Sequence, residues 1–295
     1  MKTPYLDSLA LAGAKLENYY VQPICTPSRS VLMSGRYQIH TGLQHYVITP
    51  QQRNGVPLEN ILLPEQLKQC GYDTHMVGKW HLGFYKDEYL PWNRGFTKYY
   101  GYFTSAEDYY ARFRCDETVY CGFDIESENG PADPEIGEYS AHLYARKAIE
   151  SIDRRNTSQP MFLYLAFQSV HNPLQAPKEY VDQFEYINDR NRRTYGGMVS
   201  ALNEAVKNVT EHLKSVGMWE NTILILSTDN GGQTLYGGNN YPLRGRKLTL
   251  WEGGIKGVGF VNSPLFNFPK ENEIHNKEMI HVSDWYPTIK KRTRR

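Results

Sequence analysis

The chain has 295 residues, enough for one large α/β domain or two modest ones. Its 33 basic and 32 acidic residues leave a formal charge of +1, which argues against the basic surface that a nucleic-acid partner requires. No apolar run reaches about 18 residues, so no membrane span is expected, and Met1-Lys2-Thr3-Pro4 opens into a polar, helix-like segment instead of a secretory signal.

In chain order, residues 3–13 predict a short helix, with Thr3 as its cap, Pro4 at its start and Gly13 at its end. Residues 16–22 read as extended. Residues 27–35 predict a helix with Pro27 in its first turn, which places Cys25 at a helix N-terminus, where unpaired N–H groups and the dipole favour an anion. Arg29 lies one turn further on, on the same side. Residues 62–70 predict a short amphipathic helix, residues 74–80 a strand and residues 139–152 a helix. The region 85–137 is loop-rich and aromatic and reads as an insertion shaping the rim of a cleft.

The run Met161-Phe162-Leu163-Tyr164-Leu165-Ala166-Phe167 is continuously apolar, as in strands buried on both faces of a parallel sheet. Residues 194–216 carry Met198, Leu202, Ala205, Val209 and Leu213 on one helical stripe. Residues 222–226 and 258–261 predict two more strands. Strands alternating with helices imply an α/β fold, a doubly wound mixed sheet flanked by helices, in which ligands collect at the carboxyl ends of the strands.

Four cysteines occur, Cys25, Cys70, Cys115 and Cys121. Cys115 and Cys121 are near enough in sequence to close a small disulfide loop, with Cys70 a buried thiol; the other reading keeps all of them reduced in a cytosolic chain. Asn156-Thr157-Ser158 and Asn208-Val209-Thr210 are glycosylation sequons. The 23 tyrosines suit a polar, sugar-accommodating cleft and equally a packed core.

Several residues bear chemistry at predicted strand ends. Asp229-Asn230-Gly231-Gly232 follows the strand at 222–226 and offers hard oxygen ligands suited to calcium or magnesium, although the same letters also make an ordinary turn. Lys79 and His81, two apart, share one face while Trp80 takes the other. Lysine suits a sulfate oxygen as a compact charge and histidine moves a proton near neutral pH. His171 follows the apolar run at 161–167, and Lys247 lies in Leu243-Arg244-Gly245-Arg246-Lys247. Each of these alone is most simply a surface or satisfied polar residue; their convergence on one predicted edge argues for a site.

Two motifs give that edge an identity. Cys25-Thr26-Pro27-Ser28-Arg29, running on to Leu32-Met33-Ser34-Gly35-Arg36, resembles the signature of type I sulfatases, and Gly71-Tyr72-Asp73-Thr74 with Val77-Gly78-Lys79-Trp80-His81 resembles the family's second motif. Further matching runs are Tyr37-Gln38-Ile39-His40-Thr41-Gly42-Leu43-Gln44-His45, Ser227-Thr228-Asp229-Asn230-Gly231-Gly232-Gln233-Thr234 and Pro242-Leu243-Arg244-Gly245-Arg246-Lys247. Within the family they are closest to the arylsulfatase B type, N-acetylgalactosamine-4-sulfatases, and to the related arylsulfatases I and J.

The resemblance implies a sulfuric ester hydrolase with an alkaline-phosphatase-like fold. Cys25 would be the residue that a formylglycine-generating enzyme oxidises to formylglycine; Asp229, Asn230 and residue 25 would be ligands of a calcium ion. Arg29 and His81 would hold and deprotonate the formylglycine hydrate, Lys79 and Lys247 would bind sulfate, and His171 would assist the leaving group. The implied substrate is a sulfated sugar or aryl sulfate, such as an N-acetylgalactosamine sulfate ester of a glycosaminoglycan. The implied location is lysosomal or secreted.

The sequence also departs from the family. The resemblance leads one to expect a secretory signal, then a first strand ending in two metal-binding aspartates, and a smaller C-terminal region beyond Ile280-His281-Val282-Ser283-Asp284; none of these is matched here, and Asp7 falls within a predicted helix. The expectation is a partial catalytic domain over residues 1–289 and an incidental basic tail, Lys290-Lys291-Arg292-Thr293-Arg294-Arg295. An inactive sulfatase-like fragment is therefore the alternative to an active sulfatase. A phosphoesterase of the same superfamily fits less well, because those enzymes usually carry threonine or serine at the nucleophile position.

Overall fold

The structure, a computed structural model, describes residues 1–116, 120–268 and 275–292. In chain order its principal elements are α1 (Pro4–Leu11), β1 (Ala14–Tyr20), α2 (Cys25–Ser34), α3 (Gln38–Thr41), α4 (Leu63–Gln69), β2 (Asp73–Lys79) and β3 (Lys98–Tyr102). The short strands β4 (Phe113–Asp116), β5 (Tyr120–Phe123), β6 (Ile125–Ser127) and β7 (Gly130–Pro131) follow, then α5 (Ser140–Asp153) and β8 (Met161–Ala166). The remainder comprises α6 (Lys178–Val181), α7 (Arg190–Ser215), β9 (Leu224–Ser227), α8 (Glu252–Ile255), β10 (Gly259–Asn262), β11 (His275–His281) and α9 (Trp285–Arg292).

These elements form two compact units, one made of Met1–Ile24 and Leu174–His281, the other of Cys25–Pro173 and Val282–Arg295. The first holds a four-stranded mixed sheet in the order β11-β1-β10-β9, with β1 parallel to β11 and antiparallel to β10. Its long helix α7 packs on α1 and α6, burying Met198, Ala205 and Val209 of the predicted stripe. The second unit holds a five-stranded mixed sheet in the order β7-β6-β3-β2-β8, in which β2 runs parallel to both β3 and β8. Helices α4 and α5 pack against β2. The α/β class stands, as mixed sheets flanked by helices, with β4 and β5 forming a separate two-stranded sheet in the second unit.

Several local expectations change. Thr3 does not cap α1: its hydroxyl donates to Asp7 at 3.0 Å and so leaves the helix N–H groups alone. Helix α7 starts at Arg190 instead of 194, because the Asp189 carboxylate accepts the Arg192 N–H at 2.6 Å and caps it. The apolar run at 161–167 is half-buried, not sealed on both faces: among the described residues β8 is the last strand in its sheet order and pairs with β2 alone. β9 is likewise terminal and half-exposed. Cys70 is half-buried, at the end of α4.

The region 85–137 is more than a rim. Lys98-Tyr99-Tyr100-Gly101-Tyr102 is β3, an interior strand that packs Tyr99 and Tyr102 into the core. Cys115 and Cys121 face each other across the β4–β5 hairpin and are joined by a disulfide. Of the basic tail, Lys290, Lys291 and Arg292 are the last turn of α9, and residues 293–295 lie outside the described residues.

The core beneath the carboxyl end of β2 is aromatic. Trp80 is 1 % exposed, packs edge-on to Phe96 at 6.2 Å and donates its indole N–H to Gly83 O at 3.0 Å. Around it lie Met33, Leu62, Met76, Leu82 and Phe103, each contributing about 1.5–3 kcal/mol by burial. Gly78 makes the strand spacing possible here: its φ is +103°, and a Cβ would stand 2.1 Å from the carbonyl oxygen of Ala166 on β8.

Candidate active site

In the second unit, the predicted residues converge on the start of α2 and the end of β2. Cys25 opens α2 and is 2 % exposed, as a thiol outside any disulfide. The helix behind it is buried almost throughout, so its N-terminal N–H groups act in a medium that screens them little. One turn on, the Arg29 guanidinium donates from Nη1 to the carbonyl oxygen of Lys79 at 2.8 Å and reaches the Tyr164 hydroxyl of β8 at 3.4 Å. Lys79 ends β2 and is 3 % exposed. Two cationic side chains are thus buried in the same cluster as one thiol.

His81 completes the group. It is 1 % exposed and sits at φ +58°, a left-handed conformation uncommon for a residue with a side chain. Hydrogen bonds brace it: Thr26 Oγ1 donates to His81 O at 3.2 Å and itself accepts from Ile48 N at 3.2 Å, the His81 N–H donates to Phe103 O at 3.1 Å, and His81 Nε2 lies 3.0 Å from Ile48 O. A carbonyl oxygen only accepts, so Nε2 carries the hydrogen and Nδ1 presents its lone pair. Burial first, then the charge of Lys79, push the imidazole down to about 4; the Cys25 thiol pulls the other way and Arg29 adds to the depression. The ring is therefore a neutral base beside residue 25 at every pH well above 4.

His171 lies five residues past β8, the strand paired with β2 at Gly78↔Ala166. Its ring Nδ1 is 2.8 Å from Asn172 O. Its main chain is held by Tyr109, whose hydroxyl lies 3.0 Å from both the N–H and the carbonyl of His171.

The first unit carries the other predicted residues. Asp229 and Asn230 follow β9 directly and are half-buried. Gly231 lets the turn close, since a Cβ there would meet Gly253 O at 1.9 Å; its N–H donates to Gly254 O at 2.8 Å. Lys247 is drawn to the same turn, its N–H donating to Gly232 O at 3.2 Å. The turn carrying Asp229 and Asn230 thus meets the main chain of Lys247 within this unit, and Cys25, Arg29, Lys79 and His81 cluster within theirs. Among the described residues no three His, Cys, Asp or Glu side chains are gathered as a metal site. The sequence reading passed over Thr26, Ile48, Tyr109 and Tyr164, which act through a main-chain carbonyl or across long separations.

The chain is 51% identical over 290 residues to arylsulfatase J of Mus musculus, covering 98% of this chain and 48% of that protein. It is 30% identical over 275 residues to N-acetylgalactosamine-6-sulfatase of Homo sapiens, covering 86% of this chain and 51% of the relative. The chain spans about half the length of these curated relatives. Among solved structures, Ps i-CgsB in complex with k-i-k-neocarrahexaose superposes with a TM-score of 0.88 at 29% identity, covering 99% of this chain and 66% of that one. The model of the family described as Sulfatase matches residues 1–293, and the chain belongs to that family.

Proposed function

We propose that the protein is a sulfuric ester hydrolase whose nucleophile is a formylglycine made from Cys25 by a formylglycine-generating enzyme. The observation that carries this reading is the buried cluster of a thiol at a helix N-terminus, a neutral histidine and two cations. When formed, the hydrated aldehyde supplies an oxygen nucleophile towards sulfur. Arg29 and Lys79 compensate the charge of the sulfuryl oxygens, and His81 accepts a proton at Nδ1 from the group at position 25. His171 donates a proton to the departing oxygen, and Lys247 adds a further sulfate contact. The substrate class is a sulfated sugar, with N-acetylgalactosamine sulfate esters of glycosaminoglycans as the specific expectation.

Calcium is the family's metal. Asp229 and Asn230 offer the hard oxygens it selects, but it takes roughly six to eight. Asp229 and Asn230 would supply part of such a shell, and among the described residues no three His, Cys, Asp or Glu side chains are gathered to complete it. The alternative reading is a sulfatase-like chain without turnover.

A lysosomal or secreted location accords with the Cys115–Cys121 disulfide, which persists in oxidising compartments. Asn156 and Asn208 are both exposed and are the asparagines such a route would glycosylate.

The test is turnover of 4-nitrophenyl sulfate by the chain directed through the secretory route with the formylglycine-generating enzyme, with and without added calcium. Turnover abolished by Cys25→Ala supports the sulfatase. Conversion of Cys25, seen by mass spectrometry, without turnover supports the inactive reading.

A further inference from the structure

The loop that carries His171 is fastened to a distant segment of its own unit. The Tyr109 side chain is fully buried, and its one hydroxyl serves both polar main-chain groups of His171, donating to the carbonyl and accepting from the N–H, each at 3.0 Å. Three residues earlier in the loop, Gln168 donates from Nε2 to the Glu107 carbonyl at 2.5 Å. Residues 168 and 171 are thereby tied to residues 107 and 109, about sixty positions away in sequence.

Tyr109 is itself fixed on several sides. Its ring stacks on Tyr139 with centroids 5.3 Å apart and an interplanar angle of 19°. Its carbonyl accepts from Arg112 Nη1 and from the Ser140 N–H. The Arg112 guanidinium, fully buried, donates to Glu138 O at 2.5 Å and stands 3.9 Å from the Glu107 carboxyl. A rigid phenol, held through its carbonyl by the buried Arg112 guanidinium and by a stacked ring, is therefore what sets the height and direction of the His171 backbone.

We infer that Tyr109 is a positioning residue for His171, holding the imidazole where its proton reaches the oxygen that leaves sulfur. This rests on the sulfatase reading above and on His171 as its acid. The step assigned to His171 is a proton transfer alone. As the oxygen of the hydrated aldehyde at position 25 bonds to sulfur and the bond from sulfur to the sugar oxygen breaks, the latter's electron pair stays on the sugar oxygen, the imidazolium gives up one proton to it, and an enzyme-bound sulfate ester, a sugar hydroxyl and a neutral imidazole result. The same two hydrogen bonds could serve packing alone, and the difference lies in which substrates suffer when they are lost. Proton donation matters when the leaving oxygen is basic, as in a sugar sulfate, and hardly at all for a nitrophenolate, which departs unaided.

The test compares the full chain and its Tyr109→Phe variant, both expressed with the formylglycine-generating enzyme, on N-acetylgalactosamine 4-sulfate and on 4-nitrophenyl sulfate. Positioning predicts that kcat on the sugar ester falls roughly 10–100-fold with KM little changed, while the aryl ester is affected by less than about threefold. His171→Ala should show the same selectivity more strongly. Equal losses on the two esters, or no loss on either, would overturn the inference. A second readout does not depend on turnover: amide hydrogen exchange across residues 168–173 should quicken about tenfold or more in Tyr109→Phe, because the His171 N–H loses its acceptor. Unchanged exchange would overturn the clamp itself. If the unsubstituted chain turned over neither ester, the sulfatase reading and the catalytic part of this inference would fall together, and the exchange data would still decide whether Tyr109 holds the loop.

Discussion

Arg29 donates a hydrogen bond from Nη1 to the carbonyl oxygen of Lys79 at 2.8 Å, so the helix residue one turn beyond Cys25 secures the strand residue that brings the second cation. One guanidinium does two jobs: it sets the spacing of α2 from β2, and it keeps two positive charges in a fixed relation beside a buried thiol. A lysine at the same place would keep the charge and lose the fork.

Arg29→Lys should therefore be a poor substitute. The Lys79 carbonyl would lose its donor, at a cost of about 1–3 kcal/mol, and kcat/KM for 4-nitrophenyl sulfate should fall by roughly 10²-fold or more. Urea unfolding together with steady-state kinetics checks both. A variant with near-native turnover would show that Arg29 is a packing residue only.

His81 makes a prediction about pH. Its imidazole is held down to about 4, mainly by burial and next by Lys79, so it stays an unprotonated base through the mildly acidic range. The acid limb of kcat/KM that belongs to this base should appear near pH 4, well below the 6.5 of an ordinary histidine. Replacing Lys79 with methionine removes the second cause and should move that limb upward. A limb that stays in place would mean that Lys79 does not act on His81.

Much of this site was readable because a helix and a strand have fixed periods. Cys25 and Arg29 four apart on α2 are positions that spacing alone can place, and Lys79 closes β2; His81 lies past the strand end at φ +58°, where strand alternation no longer applies. What holds them is a different matter. Ile48 serves His81 through its carbonyl, a group every residue has, and nothing in the letters at 48 marks it. Tyr109 and His171 are 62 residues apart and meet only through the fold. The apolar run of β8 said strand correctly, but burial depends on what pairs alongside, which the run itself does not contain. The Asp189 cap was legible and was missed; Thr3 looked like a cap, but its hydroxyl turns to Asp7.

Gly78 offers a sharp test of the strand geometry. With φ at +103° and a Cβ position only 2.1 Å from Ala166 O, Gly78→Ala meets both a backbone penalty and a clash against main chain that cannot rotate away. A loss of more than about 2 kcal/mol is expected, with the melting temperature falling accordingly. Gly122→Ala is the control: nothing lies within 4 Å of its Cβ position, so it should be nearly silent. Equal melting temperatures for the two variants would contradict the close approach of β2 and β8.

Glu107 gives the fold a pH dependence opposite in sign to the usual carboxylate. Burial, the largest cause, pushes its carboxyl up to about 8; the Tyr144 hydrogen bond and Arg112 oppose this, and the neighbouring Asp124 and Asp108 reinforce it. The folded protein thus keeps a proton that the unfolded chain, titrating near 4.5, gives up. The stability tied to that proton is fully present below about pH 4.5 and is lost progressively as pH rises through 8. The expected loss between pH 5 and pH 8 is on the order of 2–4 kcal/mol. Asp124, half-buried and also raised, chiefly by desolvation, adds a smaller contribution of the same sign. Glu107→Gln keeps an acceptor for the Tyr144 hydroxyl, which reaches Glu107 at 2.5 Å, and removes the titration. Urea midpoints measured at pH 5, 6.5 and 8 should therefore decline much less steeply in the variant than in the unsubstituted chain, with the two curves closest at pH 5. Parallel curves would mean that Glu107 is already ionised in the fold, its charge neutralised by Arg112.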